Sequence, residues 1–141
     1  MTALAWVPLV FLGGGAGSVL RHATALLIDQ ARDTRPPSPG AFPYATLAVN
    51  VVGCIAIGIA APLVFDRPTL RLALVTGVLG GFTTYSSFGL ETTRLLSSGH
   101  FGKAAVYVLV TNTAAIGAAF AAYALASGGT PAGGDGVFEA T

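Results

Sequence analysis

Between residues 77 and 89 the chain reads GVLGGFTTYSSFG, four glycines and five hydroxyl-bearing side chains inside an otherwise apolar stretch. Gly77, Gly80 and Gly81 each lower helix stability by about 1 kcal/mol relative to Ala, and the β-branched Thr83 and Thr84 follow at once. This pattern predicts a helix broken inside a membrane. Unpaired backbone groups in hydrocarbon are costly, so such a break persists only where protein, water or a ligand satisfies the groups it frees. Freed carbonyls make an oxygen-lined cation site, and freed N–H groups point at an anion. The competing reading is that the glycines only let helices approach closely.

Polar side chains recur at helical spacing around this segment. Tyr85 and Phe88 share one helix face, with Thr83, Ser87 and Glu91 on a neighbouring one; Thr46 and Asn50 stand at i, i+4 ahead of Gly53, and Tyr107 and Thr111 repeat the spacing. Three stripes of mostly neutral hydrogen-bonding groups suit a small hydrated ion that must exchange water for ligands without being trapped by a fixed charge. Amide and hydroxyl donors and the positive edges of aromatic rings favour an anion. Each group has a plainer alternative. Asn50 can bond across helices, Tyr107 can belong to an interfacial belt, and Thr111 can bond its own i−4 carbonyl. Arg21, behind Gly13 and Gly17, can snorkel; Glu91, His22 and His100 are expected near solvated interfaces, and Asn112 is read as helix-packing polarity.

The elements that must position these groups follow from composition. The chain has 141 residues, 53% of them hydrophobic, with a mean hydropathy of +0.73 and only 13 charged side chains, most of them between apolar runs. It reads as an all-α membrane protein with spans at 4–28, 43–65, 70–97 and 103–126, since a bilayer core about 30 Å thick needs about 20 apolar residues of helix. Residues 1–126 form one four-helix transmembrane domain and 127–141, rich in Gly, a disordered tail. A proline-rich loop follows the first span, and Pro68 marks a helix start. The N-terminus lacks a basic region ahead of its apolar stretch, so it reads as a first span rather than a cleaved signal. Charge bias leans weakly towards an outside N-terminus and permits both orientations. A net charge of +1 provides no basic patch for nucleic acid. Cys54, the single cysteine, allows no disulfide framework and reads as a small buried hydrophobe.

Together these motifs resemble the Fluc (CrcB) family of fluoride channels. GVLGGFTTYSSF is similar to that family's third-helix G-x-x-G-G-x-T-T-F-S-T-F, TLAVNVVGCIAIG to its second-helix T-L-x-V-N-x-x-G, GGGAGSVLRH to its first-helix G-G-x-x-G-x-x-x-R, and YVLVT to its fourth-helix Y-x-x-x-S. The resemblance implies a multi-pass protein of the prokaryotic plasma (inner) membrane, an antiparallel dual-topology dimer with two fluoride pores that exports fluoride passively. It also implies a structural sodium ion (Na+) at the dimer centre, held by the backbone carbonyls of Gly80 and Thr83. By matching positions, Asn50 orients the pore lining and Tyr85 and Phe88 present ring edges to fluoride. Ser86, Tyr107 and Thr111 belong to a polar track, with Thr46 on the same lining, and Arg21 stands near the vestibule. Two departures are Tyr85 for the family's phenylalanine and Ser87 for its threonine; with the charge bias, they leave both a homodimer and a heterodimer open.

The principal rival, a small proton-coupled multidrug exporter, needs a titratable carboxylate at mid-membrane. The first span has none, and Glu91 lies well past the expected break. A second rival is an assembly subunit whose polar stripes serve packing alone. No cluster of His, Cys or carboxylate residues supports an enzyme.

Overall fold

The computed structural model describes residues 6–32 and 40–128. Among these residues the fold is entirely helical. Helix α1 spans Val7–Ala31 and α2 spans Tyr44–Leu63. Helix α3 begins with Pro68–Arg71, widens to π geometry over Leu72–Leu79 and closes with the turn Gly80–Phe82. After a break at Thr83 and Thr84, α4 spans Tyr85–Ser97, and α5 spans Phe101–Ala126. The first helix runs three residues beyond the expected span, so Asp29 lies on the helix rather than in the loop. Pro68 does open α3, where its missing N–H is one that a first turn leaves unpaired anyway. Of the expected tail, only Ser127 and Gly128 are among the described residues, at the end of α5.

Two of the helices, α2 and α5, are individually long and apolar enough to cross a membrane, with mean hydropathies of 2.0 and 1.6. Large apolar side chains also face outward around the molecule: Phe11, Leu12, Ile116 and Phe120 are all well exposed. A surface of that kind is stable against lipid or another apolar face and costly against water. This is the surface of a membrane protein, and in it α3 and α4 follow one another as two helices separated by a short break.

Two pairings hold the helices together. Helix α2 lies along α5, where Gly58 admits the α5 backbone at Ala119. Helix α1 lies along α3 through glycines on both sides. A Cβ on Gly13 would stand 2.8 Å from the Ala73 carbonyl oxygen, and one on Gly77 would stand 3.1 Å from the Gly13 Cα. Gly17 abuts the Val78 carbonyl, and Ser18 donates to the Gly81 carbonyl at 3.4 Å. Close approach of backbones is how membrane helices associate without a hydrophobic drive between them. At the end where α2 and α5 begin, the Lys103 ammonium donates to the Gly40 carbonyl at 2.7 Å, and Gly40, at φ +85°, packs on the His100 ring.

Any side chain at position 17 must push the α3 backbone away. Gly17→Ala is therefore expected to lower stability by about 1–3 kcal/mol, measured as a drop in melting temperature in detergent, whereas Gly15→Ala, with open space around it, should change little. Equal melting of the two variants would contradict the packing described.

Candidate functional site

The α3 helix does not fail at its glycines. Gly80 is helical at φ −62° and ψ −37°, while Gly77 and Gly81 pack against α1. Extension begins at Thr83, φ −78° and ψ 157°, and continues through Thr84, φ −151° and ψ 109°. The expected break is present but sits two residues beyond the glycine cluster, and the close-approach reading holds for Gly77 and Gly81.

Asn50 of α2 closes the break. Its Nδ2 donates to the Thr84 carbonyl at 3.2 Å, and its Oδ1 accepts from the Thr84 N–H at 2.9 Å. One planar amide thus stands in for a neighbouring strand. The Thr84 hydroxyl oxygen accepts from the Ser87 N–H at 3.1 Å and so caps α4, and it also bonds the hydroxyls of Ser87 and Ser86 at 3.0 and 3.1 Å. The N–H groups four residues on from Gly80 and Thr83 are bonded elsewhere, that of Thr84 to Asn50 and that of Ser87 to the Thr84 hydroxyl, so neither closes a helical bond onto those two carbonyls. Carbonyl oxygens of this kind are hard ligands that fit a cation such as sodium.

Beside the break lies a cavity of about 300 Å³ between α2, α3, α4 and α5. Asn50, Gly80, Thr83, Tyr85, Phe88 and Thr111 all line it, so six of the ten expected site residues meet at one place. Thr111 is 5% exposed, and its hydroxyl oxygen has no hydrogen-bond partner. It does not bond its own helix, although neighbouring Thr113 does, donating to the Leu109 carbonyl at 2.7 Å. Buried hydroxyls are rarely left so, and an unpaired one facing a cavity marks a place where a ligand or water bonds. Asn112 also lines this cavity instead of serving packing alone, its amide anchored to the Val108 carbonyl at 2.7 Å.

Thr46 and Tyr107 belong to a second cluster. Both hydroxyls donate to the Glu91 carboxyl group, Thr46 to Oε1 and Tyr107 to Oε2, each at 2.9 Å. Tyr107 is 0% exposed, which removes the interfacial-belt alternative. Glu91 is correspondingly not a solvated surface group: it is half-buried and forms part of a second cavity of about 410 Å³ with Asp29, Arg32 and Arg94. The sequence signal for this was present in the register of Glu91 with Ser87. Ser86 stays at the exposed start of α4, and Arg21 lines neither cavity.

A run of rings joins the two cavities. Tyr85 and Phe88 have centroids 5.3 Å apart, Phe88 and Tyr107 5.2 Å, Tyr107 and Phe42 5.5 Å edge to face, and Phe42 and Tyr44 4.7 Å. The Tyr107 and Phe42 pair is edge to face at 84°, and the other three pairs are tilted by 42–49°.

The order of motifs along these helices is that of a known group, and a family model described as CrcB-like protein, Camphor Resistance (CrcB), matches residues 8–123. The chain belongs to the CrcB family. A relative from Agrobacterium fabrum named Fluoride-specific ion channel FluC is 43% identical over 123 residues, covering 84% of this chain and 94% of that protein. One of the same name from Methylobacillus flagellatus is 44% identical over 108 residues, covering 73% and 80%. Fluoride-specific ion channel FluC 2 from Nitrobacter hamburgensis is 38% identical over 121 residues, covering 83% and 93%. These CrcB relatives carry the names of ion channels, a class apart from enzymes.

Asn50→Leu, close in size but without the amide, leaves the Thr84 N–H and carbonyl unpaired in an apolar setting. Two such groups at about 1–3 kcal/mol each predict a loss of about 2–6 kcal/mol, read by thermal melting of the purified chain. A variant as stable as the parent would show that the amide is not what closes the break.

Proposed function

We propose that the chain is a fluoride-selective channel through which the anion leaves the cytoplasm passively, relieving its toxicity. The observation that carries this reading is the unpaired buried hydroxyl of Thr111, a residue that lines one cavity with Asn50 and Phe88. The names of the relatives support the choice of anion. Fluoride is small and strongly hydrated, so its passage requires donors that replace water in sequence. Thr111 offers such a donor by the break. The ring edges from Tyr85 to Tyr107 continue the path, and the Thr46 and Tyr107 hydroxyls, now turned to Glu91, lie at its other end. The Glu91 carboxyl group holds those two O–H donors in place and would repel an anion that lingered beside it. The lining of the cavity beside the break is neutral, consistent with conduction rather than tight binding.

Tyr85 is 79% exposed on the single chain, at the same side as the Gly80 and Thr83 carbonyls. A second subunit covering this side would complete the pore and, if inverted, would bring two sets of carbonyls together around a sodium ion. The ion would supply the positive charge that holds four carbonyl oxygens close together. In this reading the channel is a dual-topology dimer, multi-pass in a prokaryotic inner membrane, with Arg21 and Ser86 outside the described cavities and nearer the path's approaches. The proton-coupled alternative is disfavoured, because the Glu91 carboxyl group is engaged by two hydroxyls in a chain whose named relatives are channels.

Liposomes containing this chain alone are expected to release fluoride rapidly, followed with an electrode, and to retain chloride. Thr111→Val and Phe88→Ala should slow fluoride release at least about tenfold, equivalent to about 1.4 kcal/mol on the barrier, while Thr111→Ser keeps it near the parent rate. Unchanged flux through folded Thr111→Val would remove that hydroxyl from the pathway.

Sodium is expected to raise the melting temperature of the purified protein relative to an equal concentration of N-methylglucamine. Melting indifferent to that exchange would count against the carbonyl site at Gly80 and Thr83.

A further inference from the structure

Arg32 ends α1 with its guanidinium carbon 3.6 Å from the centroid of the Tyr44 ring. Below this stacked pair an open groove of about 410 Å³ runs between α1, α2 and α5. Its walls are Ile28, Val110 and Ala114, and Ala48 and Val51 lie along its floor. From Tyr44 to Val51 the α2 axis rises about 10 Å. The groove therefore combines one fixed cation at the helix ends, where the bilayer surface lies, with a purely aliphatic channel leading inward from it.

We propose that this groove holds an anionic phospholipid, its phosphate on Arg32 and one acyl chain along Ala48 and Val51. The match is one of charge and depth. A guanidinium presents a planar set of donors suited to phosphate oxygens, and stacking on Tyr44 fixes its plane before the lipid arrives. Cationic side chains near helix ends attract anionic headgroups, and a lipid tail is the apolar partner that is always at hand below them. A second copy of this chain fits less well, since it would cover an exposed Arg32 and has to supply a carboxylate at that height. The cavity beside the break also lies on another part of α2: Asn50, Gly53, Cys54 and Ile57 point roughly 120° around the helix from Tyr44, Ala48 and Val51. A partner subunit that covers the break leaves this groove to the bilayer. Arg32 also forms part of the cavity that contains Glu91, so the headgroup sits at the rim of that cavity.

The test is thermal melting of the full chain in neutral detergent with added phosphatidylglycerol or with phosphatidylcholine of the same acyl chains, backed by native mass spectrometry of retained lipid. Neither readout depends on ion flux, so the result stands apart from the proposed channel activity. The parent is expected to melt about 3 °C or more higher with phosphatidylglycerol and to retain one lipid per chain preferentially. Arg32→Gln should erase the preference between headgroups. Val51→Phe, which fills the floor, should erase the response to both lipids; Ala114→Leu does the same from the opposite wall should Val51→Phe not fold. Equal effects of the two lipids on the parent would overturn the proposal, as would a preference that survives Arg32→Gln. So would efficient cross-linking between two chains through Ala114→Cys in a Cys54→Ala background, which would seat a second copy in the groove.

Discussion

The pairing of the Asn50 amide with both backbone groups of Thr84 is the constraint on which the other features depend. A membrane offers no water to an interrupted helix, so two residues of extended chain require a partner with one donor and one acceptor in a fixed plane. Asparagine is the smallest side chain that carries a donor and an acceptor on separate atoms of one planar group. With Thr84 pinned to α2, the Thr84 hydroxyl can start α4 in a new direction, and Phe88 and Glu91 follow on the face that meets α5. The same pin takes the Thr84 N–H away from the helix before the break, where Gly80 and Thr83 line a cavity. Closing the break on one side and leaving it open on the other are two results of one contact.

Charge placement follows a similar economy. The Glu91 carboxyl group lies deep in α4 with a hydroxyl on each oxygen, and Arg94 and Arg32 share its cavity. Buried charge is tolerated when its lone pairs are met and counter-charges stand near. Tyr107 does double duty here, bonding the carboxyl group through its hydroxyl while its ring bridges Phe88 and Phe42. Polar and aromatic contacts are thereby locked into one register between α4 and α5.

The helices, their order and the interruption of the third were legible in the sequence because each has a local cause: apolar runs of membrane length, Pro68 at a start, and glycine followed by β-branched residues. Asn50, Thr111 and Phe88 were legible as well, since helical spacing puts them on polar or aromatic stripes, whereas the carbonyl roles of Gly80 and Thr83 rest on the resemblance to a known family alone. What escaped was settled by partners distant in sequence. Gly77 and Gly81 look like helix breakers until α1 is laid against them, and Glu91 looks like a surface acid until Thr46 and Tyr107 arrive from other helices. Asn112 reads as packing polarity in the sequence because it lies off the face that Tyr107 and Thr111 share, yet it lines the cavity beside Thr111. No local pattern distinguishes Thr111, with its hydroxyl unpaired, from Thr113, which bonds its own helix.

The widened turns of Leu72–Leu79 carry a consequence for inheritance as much as for shape. A π turn holds one more residue than an α turn, so it behaves as an insertion absorbed inside a helix. It shifts the angular phase of everything after it without changing what comes before. Gly77 within these turns and Gly81 just beyond them both meet α1, so the widened winding sets that seam together with the lead-in to Thr83. Removing a single residue from Leu72–Leu79 would restore ordinary winding and rotate Gly80, Thr83 and Thr84 together away from Asn50. The length of this aliphatic stretch, more than the identity of its side chains, sets the phase of the residues that follow it.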